Sequence, residues 1–234
     1  MAKIAIFNEF LHEKTDECVK KIYPNGIHAA LKEFLEADGH EVTTTTLEDH
    51  EKILTPEFLK NIDVLLWWGH MGHDKVSDTA AQNVRDAVHT GMGFIPLHSA
   101  HHSKPFKLLM GTPCNLSWGD NVKERIWIVD HSHPITAGFG RYFELPEEEM
   151  YGEPFSIPEP EKLLFVGWYE SGEVFRSGCC YQRGNGKIFY FQPGHETVPT
   201  FHNKDVQQVI KNAVKWAVPS YRNEIPCPHV ERVQ

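Results

Sequence analysis

Histidine is the side chain most able to do chemistry in this sequence, and several histidines stand where a strand should end. The chain has 15 histidines among 234 residues. Three clusters follow apolar, strand-like runs: Gly69-His70-Met71-Gly72-His73, His98-Ser99-Ala100-His101-His102 and Pro193-Gly194-His195-Glu196. Imidazole titrates near neutral pH and binds metals, so it can serve as an acid, a base or a ligand. The pattern predicts a reactive site built at strand exits.

Two of these clusters have the local form of a catalytic junction. His98 and Ser99 lie between a strand and a helix, where a sharp elbow would present one side chain at a helix N-terminus. His195-Glu196 places an imidazole beside a carboxylate, which suits either a base with its orienting partner or two metal ligands. A capping or hydrogen-bonded structural histidine is the alternative at each position. The spacing of His70 and His73 is weak evidence for a metal when taken alone.

The elements that must position these clusters alternate between strand and helix in the first half of the chain. Apolar and β-branched runs predict strands at 3–7, 41–46, 62–68 and 93–97. Periodicity and caps predict helices at 24–38, from Thr55-Pro56, at 77–90 and at 99–110. This rhythm predicts a mainly parallel sheet between two helix layers, with ligands outside the carboxyl ends of the strands.

The second half is less regular. It predicts strands at 123–129 and 163–169, a hairpin around Gly184-Asn185-Gly186 and a closing amphipathic helix at 205–217. The acidic, proline-containing segment 145–160 predicts an ordered excursion or a flap. We expect a single α/β domain over residues 1–218 and a C-terminal tail over 219–234.

Further candidate residues lie near the predicted crevice. Glu9 follows the first strand together with Asn8, and a carboxylate there would face the same edge as the histidine clusters. His28 opens the first helix and is placed to reach the crevice from the side. Seven further histidines are predicted to be surface, loop or structural residues: His12, His40, His50, His89, His131, His133 and His229.

Composition excludes several classes of function. The formal net charge is −9 and no clustered basic face is visible, which argues against a nucleic-acid partner. The five cysteines show no CxxC spacing, and neither a signal peptide nor an apolar run of membrane length is found. We therefore expect no membrane partner and a cytoplasmic location.

Several longer motifs carry a family resemblance that runs from about Lys3 to Val218. They are Asn8-Glu9-Phe10-Leu11-His12-Glu13, Tyr23-Pro24-Asn25-Gly26-Ile27-His28, Trp67-Trp68-Gly69-His70-Met71, Leu97-His98-Ser99-Ala100, Glu147-Glu148-Glu149-Met150-Tyr151-Gly152-Glu153-Pro154 and Pro193-Gly194-His195-Glu196-Thr197. Together they resemble the trehalose-utilisation (ThuA-like) family. The resemblance implies a flavodoxin-like three-layer α/β sandwich like that of class I glutamine amidotransferases, and a role in disaccharide catabolism.

The sequence differs from that of amidotransferases at the strand-to-helix elbow. Those enzymes carry a cysteine nucleophile there, followed later by His-x-Glu, whereas this chain has His98 at that position and an adjacent His195-Glu196 pair. No thiol stands at the elbow, so glutaminase chemistry through a thioester is not expected.

Three functional hypotheses follow. The first is an enzyme acting on a sugar or an oxidised (keto) sugar, by hydrolysis, elimination or isomerisation. Its site would combine Glu9, His28, His70, His98, His195 and Glu196, with His28, His70, His98 and His195 as ligands of a divalent metal such as zinc. Substrate contacts are expected from Asn8, Trp68, His73, His102, Glu149 and Tyr151.

The second hypothesis is a metal-free hydrolase in which Ser99 attacks and His195-Glu196 activates it. The third is a non-catalytic sugar-binding or regulatory module, with the rings of Trp67, Trp68, Trp118 and Tyr151 stacking on sugar faces. A small-molecule carbohydrate is the expected partner in each case, and the irregular second half and the tail favour a homo-oligomer.

Overall fold

A single nine-stranded sheet organises the chain. The structure is a computed structural model that describes residues 1–223 and 226–232. Five strands form a parallel half in the order β2 (Glu41–Thr46), β1 (Lys3–Asn8), β3 (Val64–Trp68), β4 (Gly93–Leu97) and β9 (Gly186–Phe191). The sheet continues with antiparallel pairs through β8 (Val174–Arg183), β7 (Lys162–Tyr169), β5 (Ser117–Ile128) and β6 (Tyr142–Gly152). The predicted α/β fold is confirmed, and the antiparallel half enlarges the expected parallel sheet.

Helices cover both faces of the parallel half. The helices are α1 (His12–Thr15), α2 (Glu17–Ile22), α3 (Ile27–Ala37), α4 (His50–Ile53), α5 (Pro56–Leu59), α6 (Asp78–Thr90), α7 (Lys104–Met110) and α8 (Lys204–Ala217). Alternating side chains of the strands divide between two cores. Ile4 and Leu66 pack with α3 and α8, whereas Phe7 and Trp67 pack with α5, α6 and α7. This arrangement is the predicted three-layer sandwich.

The predicted helix over 99–110 is wrong in its first third. A 3-10 turn spans His98–His102, and α7 begins afterwards at Lys104. Pro105 has no backbone N–H, so it belongs in the first turn of a helix and not in its interior. The Ser103 side chain caps this new helix by accepting the N–H of Phe106 at 3.4 Å. The break turns the histidines of this segment toward the strand edge.

The predicted flap over 145–160 is also wrong in its first half. Residues up to Gly152 belong to β6, which pairs antiparallel with β5 and forms one edge of the sheet. Pro146 is tolerated there because an edge strand need not donate every backbone N–H to a neighbour. Residues 153–160 contain no helix or strand. The strand explains why Glu148, Glu149 and Tyr151 hold defined positions.

The expected division into one domain and a tail stays a prediction. Part of that tail, residues 224–225 and 233–234, lies outside the described residues. At its start, Arg222 donates to the backbone carbonyl of Leu59 at 3.3 Å. No helix within the described ranges is long and apolar enough to cross a membrane.

Candidate active site

Three strand exits bring three imidazoles together, as the histidine clusters predict. β3 leads to His70, β4 leads to His98, and β9 leads through a short loop to His195. The ring centroids are 5.8 Å apart for His70 and His98, 5.5 Å for His70 and His195, and 5.4 Å for His98 and His195. Glu149 of β6 completes this ligand group, whose four candidate ligand atoms all lie within 4.8 Å of one another.

His98 occupies a strained elbow at the floor of the site. Its φ of 53° lies in the left-handed region, which is uncommon for a residue with a side chain and recurs at functional positions. The buried Nδ1 donates to the carbonyl of Gln192 at 3.0 Å, because a carbonyl can only accept. Nε2 is thereby directed at the Glu149 carboxylate, 3.1 Å away. Burial lowers the pKa of His98, but the hydrogen bond that Nε2 donates to the Glu149 carboxylate outweighs burial, and the net pKa is raised.

His195 and Glu196 face the same centre from the β9 exit loop. The Nδ1 atom of His195 lies 3.7 Å from the Glu149 carboxylate and 3.3 Å from that of Glu196. Burial and the neighbouring His98 lower the pKa of His195 to about 4, so its imidazole is neutral at pH 7. Glu196 also lies 3.0 Å from His70 Nδ1. Its pKa is lowered to about 2, because contacts with His70 outweigh the effect of burial.

The ligand group fits a divalent metal ion. The Nδ1 atoms of His70 and His195 are buried, and Glu196 lies 3.0 Å from the first and 3.3 Å from the second. Two carboxylates, Glu149 and Glu196, therefore lie among three imidazoles in one buried cluster, and a cation would stabilise such an arrangement. Imidazole nitrogens with one carboxylate are ligand types that zinc prefers. In the described part of the chain, a second group of His12, His70 and Glu196 shares His70 with the first.

His12 is a site residue that the sequence reasoning missed. It was predicted to be a surface residue, yet its Nε2 lies 3.4 Å from Glu196 and its Nδ1 lies 3.6 Å from Glu9. Burial lowers its pKa, but the two carboxylates outweigh burial and the net pKa is raised. The signal in the sequence was that His12 follows Glu9 by only three residues at the first strand exit. His50 is likewise buried and not on the surface, with Nδ1 donating to Leu47.

Two buried carboxylates hold the loops that carry the imidazoles. Glu9 accepts the backbone N–H of Met71 at 3.0 Å and of Gly72 at 2.8 Å, directly after His70. Burial raises the pKa of Glu9, but the contact with His12 and the two backbone hydrogen bonds outweigh burial. The net pKa of Glu9 is therefore lowered. Glu148 was not predicted as a site residue, and it holds the β9 exit loop in the same way. The predicted catalytic acid Glu9 thus has its oxygens engaged in positioning a loop.

Three predicted site residues lie away from the ligand group. His28 belongs to neither metal-compatible group, because its Nδ1 is 2.9 Å from the side-chain amide of Asn8. Asn8 itself is fully buried and donates to Glu13 at 2.7 Å, which leaves it no free face for a substrate. Trp68 is also fully buried, and its indole N–H donates to the carbonyl of Gly194 at 2.9 Å. All three therefore support the local structure and correct the ligand and substrate-contact expectations.

A cavity of about 280 Å³ opens beside the ligand group. It shares His70 and Glu149 with that group, and Ser99 and Tyr151 line it, joined by a hydrogen bond of 2.7 Å between their hydroxyls. The remaining lining residues are His73, His101, His102, Asn115, Leu116 and Trp118. The predicted contacts His73, His102, Glu149 and Tyr151 therefore all face one cavity. A serine hydrolase requires a hydrogen bond between its serine and its histidine. Among the described contacts, none joins Ser99 to His195.

Comparisons with known proteins agree with this architecture. A ThuA-like protein of Parabacteroides merdae has a TM-score of 0.70 at 13% identity, over 96% of this chain and 93% of that chain. A cytoplasmic protein of Salmonella typhimurium has a TM-score of 0.65 at 12% identity, over 93% and 100% of the two chains. A glutamine amidotransferase of Thermotoga maritima has a TM-score of 0.57 at 9% identity, over 92% and 97%. At these identities the likeness shows the fold alone.

Sequence comparison identifies the family. No curated protein matches the chain. The family described as "ThuA: Trehalose utilisation" matches residues 3–217, which is nearly the whole sequence. The elbow at His98, the ligand group and the amidotransferase-like sheet all lie within that match. The chain therefore belongs to the ThuA family.

Proposed function

We propose that this chain is a metal-dependent enzyme acting on a sugar or an oxidised (keto) sugar. The observation that carries the proposal is that His70, His98, His195 and Glu149 each offer one candidate ligand atom, and that these four atoms lie within 4.8 Å of one another beside a cavity. The family description, trehalose utilisation, supports a carbohydrate as the substrate. We place a divalent ion, zinc in the first instance, on these four residues.

A zinc ion at this position would supply Lewis acidity, which polarises a carbonyl or activates water. The chain's own residues set the conditions for that chemistry. His195 is neutral at pH 7 and thus able to bind a cation, while the ionised Glu196 fixes the orientation of His70 and His195. The Ser99 and Tyr151 hydroxyls offer hydrogen bonds to a bound substrate.

The wider expectations belong to the same proposal. A cytoplasmic location is supported by the structural neighbour described as a cytoplasmic protein. A homo-oligomer is proposed because the exposed ring of Trp168 and the half-buried guanidinium of Arg125 contact each other on the antiparallel half of the sheet.

Metal binding to chelator-treated protein tests the proposal. We expect stoichiometric zinc uptake by calorimetry and elemental analysis, and its loss in His98→Asn. Asparagine is chosen because it tolerates the left-handed backbone conformation at this position. His28→Asn is the matched control, since His28 lies at the same edge but outside the ligand group, and it should bind zinc as the wild type does.

Turnover is then measured on neutral sugars and their keto derivatives. Chelation should abolish it and zinc should restore it. Full activity in metal-free protein would contradict the role of the metal, whereas saturable sugar binding without any turnover would favour the non-catalytic sugar-binding module.

A further inference from the structure

The Glu196 carboxylate faces imidazoles with both of its oxygens. Oε1 lies 3.0 Å from Nδ1 of His70 and 3.4 Å from Nε2 of His12, whereas Oε2 lies 3.3 Å from Nδ1 of His195. Neighbouring ligands of a tetrahedral zinc ion lie roughly 3.3–3.6 Å apart, because each bond to the metal is 2.0–2.2 Å long. The contacts of Glu196 with His12 and His70 are close to that spacing, and the candidate ligand atoms of these three residues all lie within 4.8 Å of one another.

A second carboxylate orients His12 toward this point. The Nδ1 atom of His12 lies 3.6 Å from Glu9, which is itself fixed by the backbone N–H groups of Met71 and Gly72. With a proton on Nδ1, the lone pair of Nε2 is directed at the Glu196 oxygen. Two acceptors at that distance repel each other unless a proton or a metal ion lies between them. A carboxylate behind the far nitrogen is the usual arrangement of a metal-binding histidine.

The charge of the cluster leaves room for more than one cation. The carboxylates of Glu9, Glu149 and Glu196 all lie within 3.7 Å of imidazole nitrogens of the two metal-compatible groups. Three carboxylates carry more negative charge than one divalent ion neutralises, and buried charge is costly unless it is compensated. The side chains of His12 and His70 are 14% and 25% exposed, so an ion can reach them from solvent.

We propose that His12, His70 and Glu196 bind a second divalent cation, zinc in the first instance. The inference rests on the proposed function, since it adds an ion to the one placed on the ligand group. When both ions are bound, His70 gives its Nδ1 to the second ion and the first keeps the other three residues of the ligand group. Three protein ligands are the number that catalytic zinc sites keep.

The second ion lies behind His70 and outside the cavity. His70 lines the cavity, whereas neither His12 nor Glu196 is among the lining residues described for it. The ion joins the exits of three strands, because His12 follows β1, His70 follows β3 and Glu196 follows β9. It therefore fixes the position of His70 and stabilises the fold, since a ligand that binds only the folded chain raises the free energy of unfolding.

Zinc stoichiometry of chelator-treated protein tests the proposal, by calorimetry and elemental analysis. We expect two equivalents in the wild type and one in His12→Asn. His12→Gln, which keeps more of the side-chain length, should also bind one. His28→Asn is the matched control, because His28 lies at the same edge but belongs to neither group, and it should bind two equivalents.

Thermal denaturation gives a second measurement. Zinc beyond the first equivalent, at a hundredfold excess over its dissociation constant, should raise the Tm of the wild type and of His28→Asn by about 5–10 °C. The Tm of His12→Asn should not respond to this second addition. Two equivalents of zinc in His12→Asn, or an equal response of its Tm, overturn the assignment.

The pattern across variants distinguishes this inference from the proposed function. A single equivalent that is kept in His12→Asn and lost in His98→Asn overturns the second position and leaves the first ion standing. The contacts of His12 with Glu196 and Glu9 are then hydrogen bonds of a protonated imidazole. A single equivalent that is lost in His12→Asn and kept in His98→Asn supports the second position and contradicts the first. Absence of zinc uptake in the wild type overturns both.

Discussion

The Glu148 carboxylate accepts the backbone N–H of His195 at 2.9 Å, and through this bond a buried acid of β6 positions an imidazole of the ligand group. The same carboxylate accepts the N–H of Gly194 at 3.1 Å and the hydroxyl of Thr200 at 2.7 Å. Glu148 is fully buried, and burial raises its pKa despite these hydrogen bonds. The β9 exit loop is therefore held by one side chain that has no direct place in the ligand group.

Glu148→Gln should weaken zinc binding by about 10- to 100-fold, the range seen when residues that orient metal ligands are removed. The amide nitrogen of glutamine cannot accept, so at least one of the loop's donors loses its partner. Calorimetric zinc titration measures the effect. Glu124→Gln is a matched control, because Glu124 is equally buried but accepts the Ser177 hydroxyl at 3.2 Å instead of the loop.

The control should retain wild-type zinc affinity for a physical reason. Burial raises the pKa of Glu124 well above the usual range, which favours the uncharged carboxyl, and glutamine is an uncharged side chain of nearly the same shape. Equal losses of zinc affinity in both variants would show that Glu148 acts through general stability and not through the loop. Thermal denaturation of both proteins separates these two results.

Trp68→Phe should destabilise the fold by about 1–3 kcal/mol, because the buried carbonyl of Gly194 loses its indole donor. Urea denaturation measures the free energy of unfolding. Trp118→Phe should leave that free energy within about 0.5 kcal/mol of the wild type, since the Trp118 side chain is exposed. The prediction fails if Trp68→Phe is as stable as Trp118→Phe.

The meeting of the strand exits at one edge of the sheet was predictable, because it depends on local sequence patterns. The strands predicted at 41–46 and 93–97 have the same bounds as the observed β2 and β4. Parallel strands bring their carboxyl ends to one edge of the sheet. The elbow at His98 follows from the same reasoning, since a strand meets a helical turn there. These features need only propensity, periodicity and topology.

The partners of each side chain were not predictable from those patterns. Trp68 and His70 lie two residues apart, but Trp68 is buried in the core whereas His70 belongs to the ligand group. The difference arises because the strand ends between them. Glu148 reaches the loop of His195 across more than forty positions of sequence through the antiparallel half of the sheet. Contacts of that kind depend on strand order and register, which local sequence does not encode.

His73→Gln should flatten the dependence of stability on pH in chelator-treated protein between about pH 6.5 and 4. The pKa of His73 is lowered to about 4 in the folded chain, mainly by burial, so in this window the unfolded chain binds a proton that the folded chain does not. Stability therefore falls as pH falls, with a slope of up to about 1.4 kcal/mol per pH unit from this residue.

Denaturation at several pH values, for the wild type and the variant, measures that difference. His195 acts in the same direction, whereas the raised pKa values of His12 and His98 act in the opposite one, but all three are present in both proteins. Their contributions cancel in the comparison. Parallel pH curves for the two proteins would contradict a lowered pKa at His73.

Ser99→Ala separates the metal-dependent enzyme from the serine hydrolase. The Ser99 hydroxyl pairs with that of Tyr151 at 2.7 Å, and Tyr151 in turn lies 3.3 Å from His98 Nε2. Loss of such a contact should lower kcat/KM by about tenfold or less, since one hydrogen bond contributes about 0.5–1.5 kcal/mol. Loss of a nucleophile costs about a millionfold in kcat. Steady-state kinetics on the substrate found for the wild type measures the effect, and the zinc content of each protein is measured alongside. A near-complete loss of turnover at full zinc occupancy would show that Ser99 is the nucleophile.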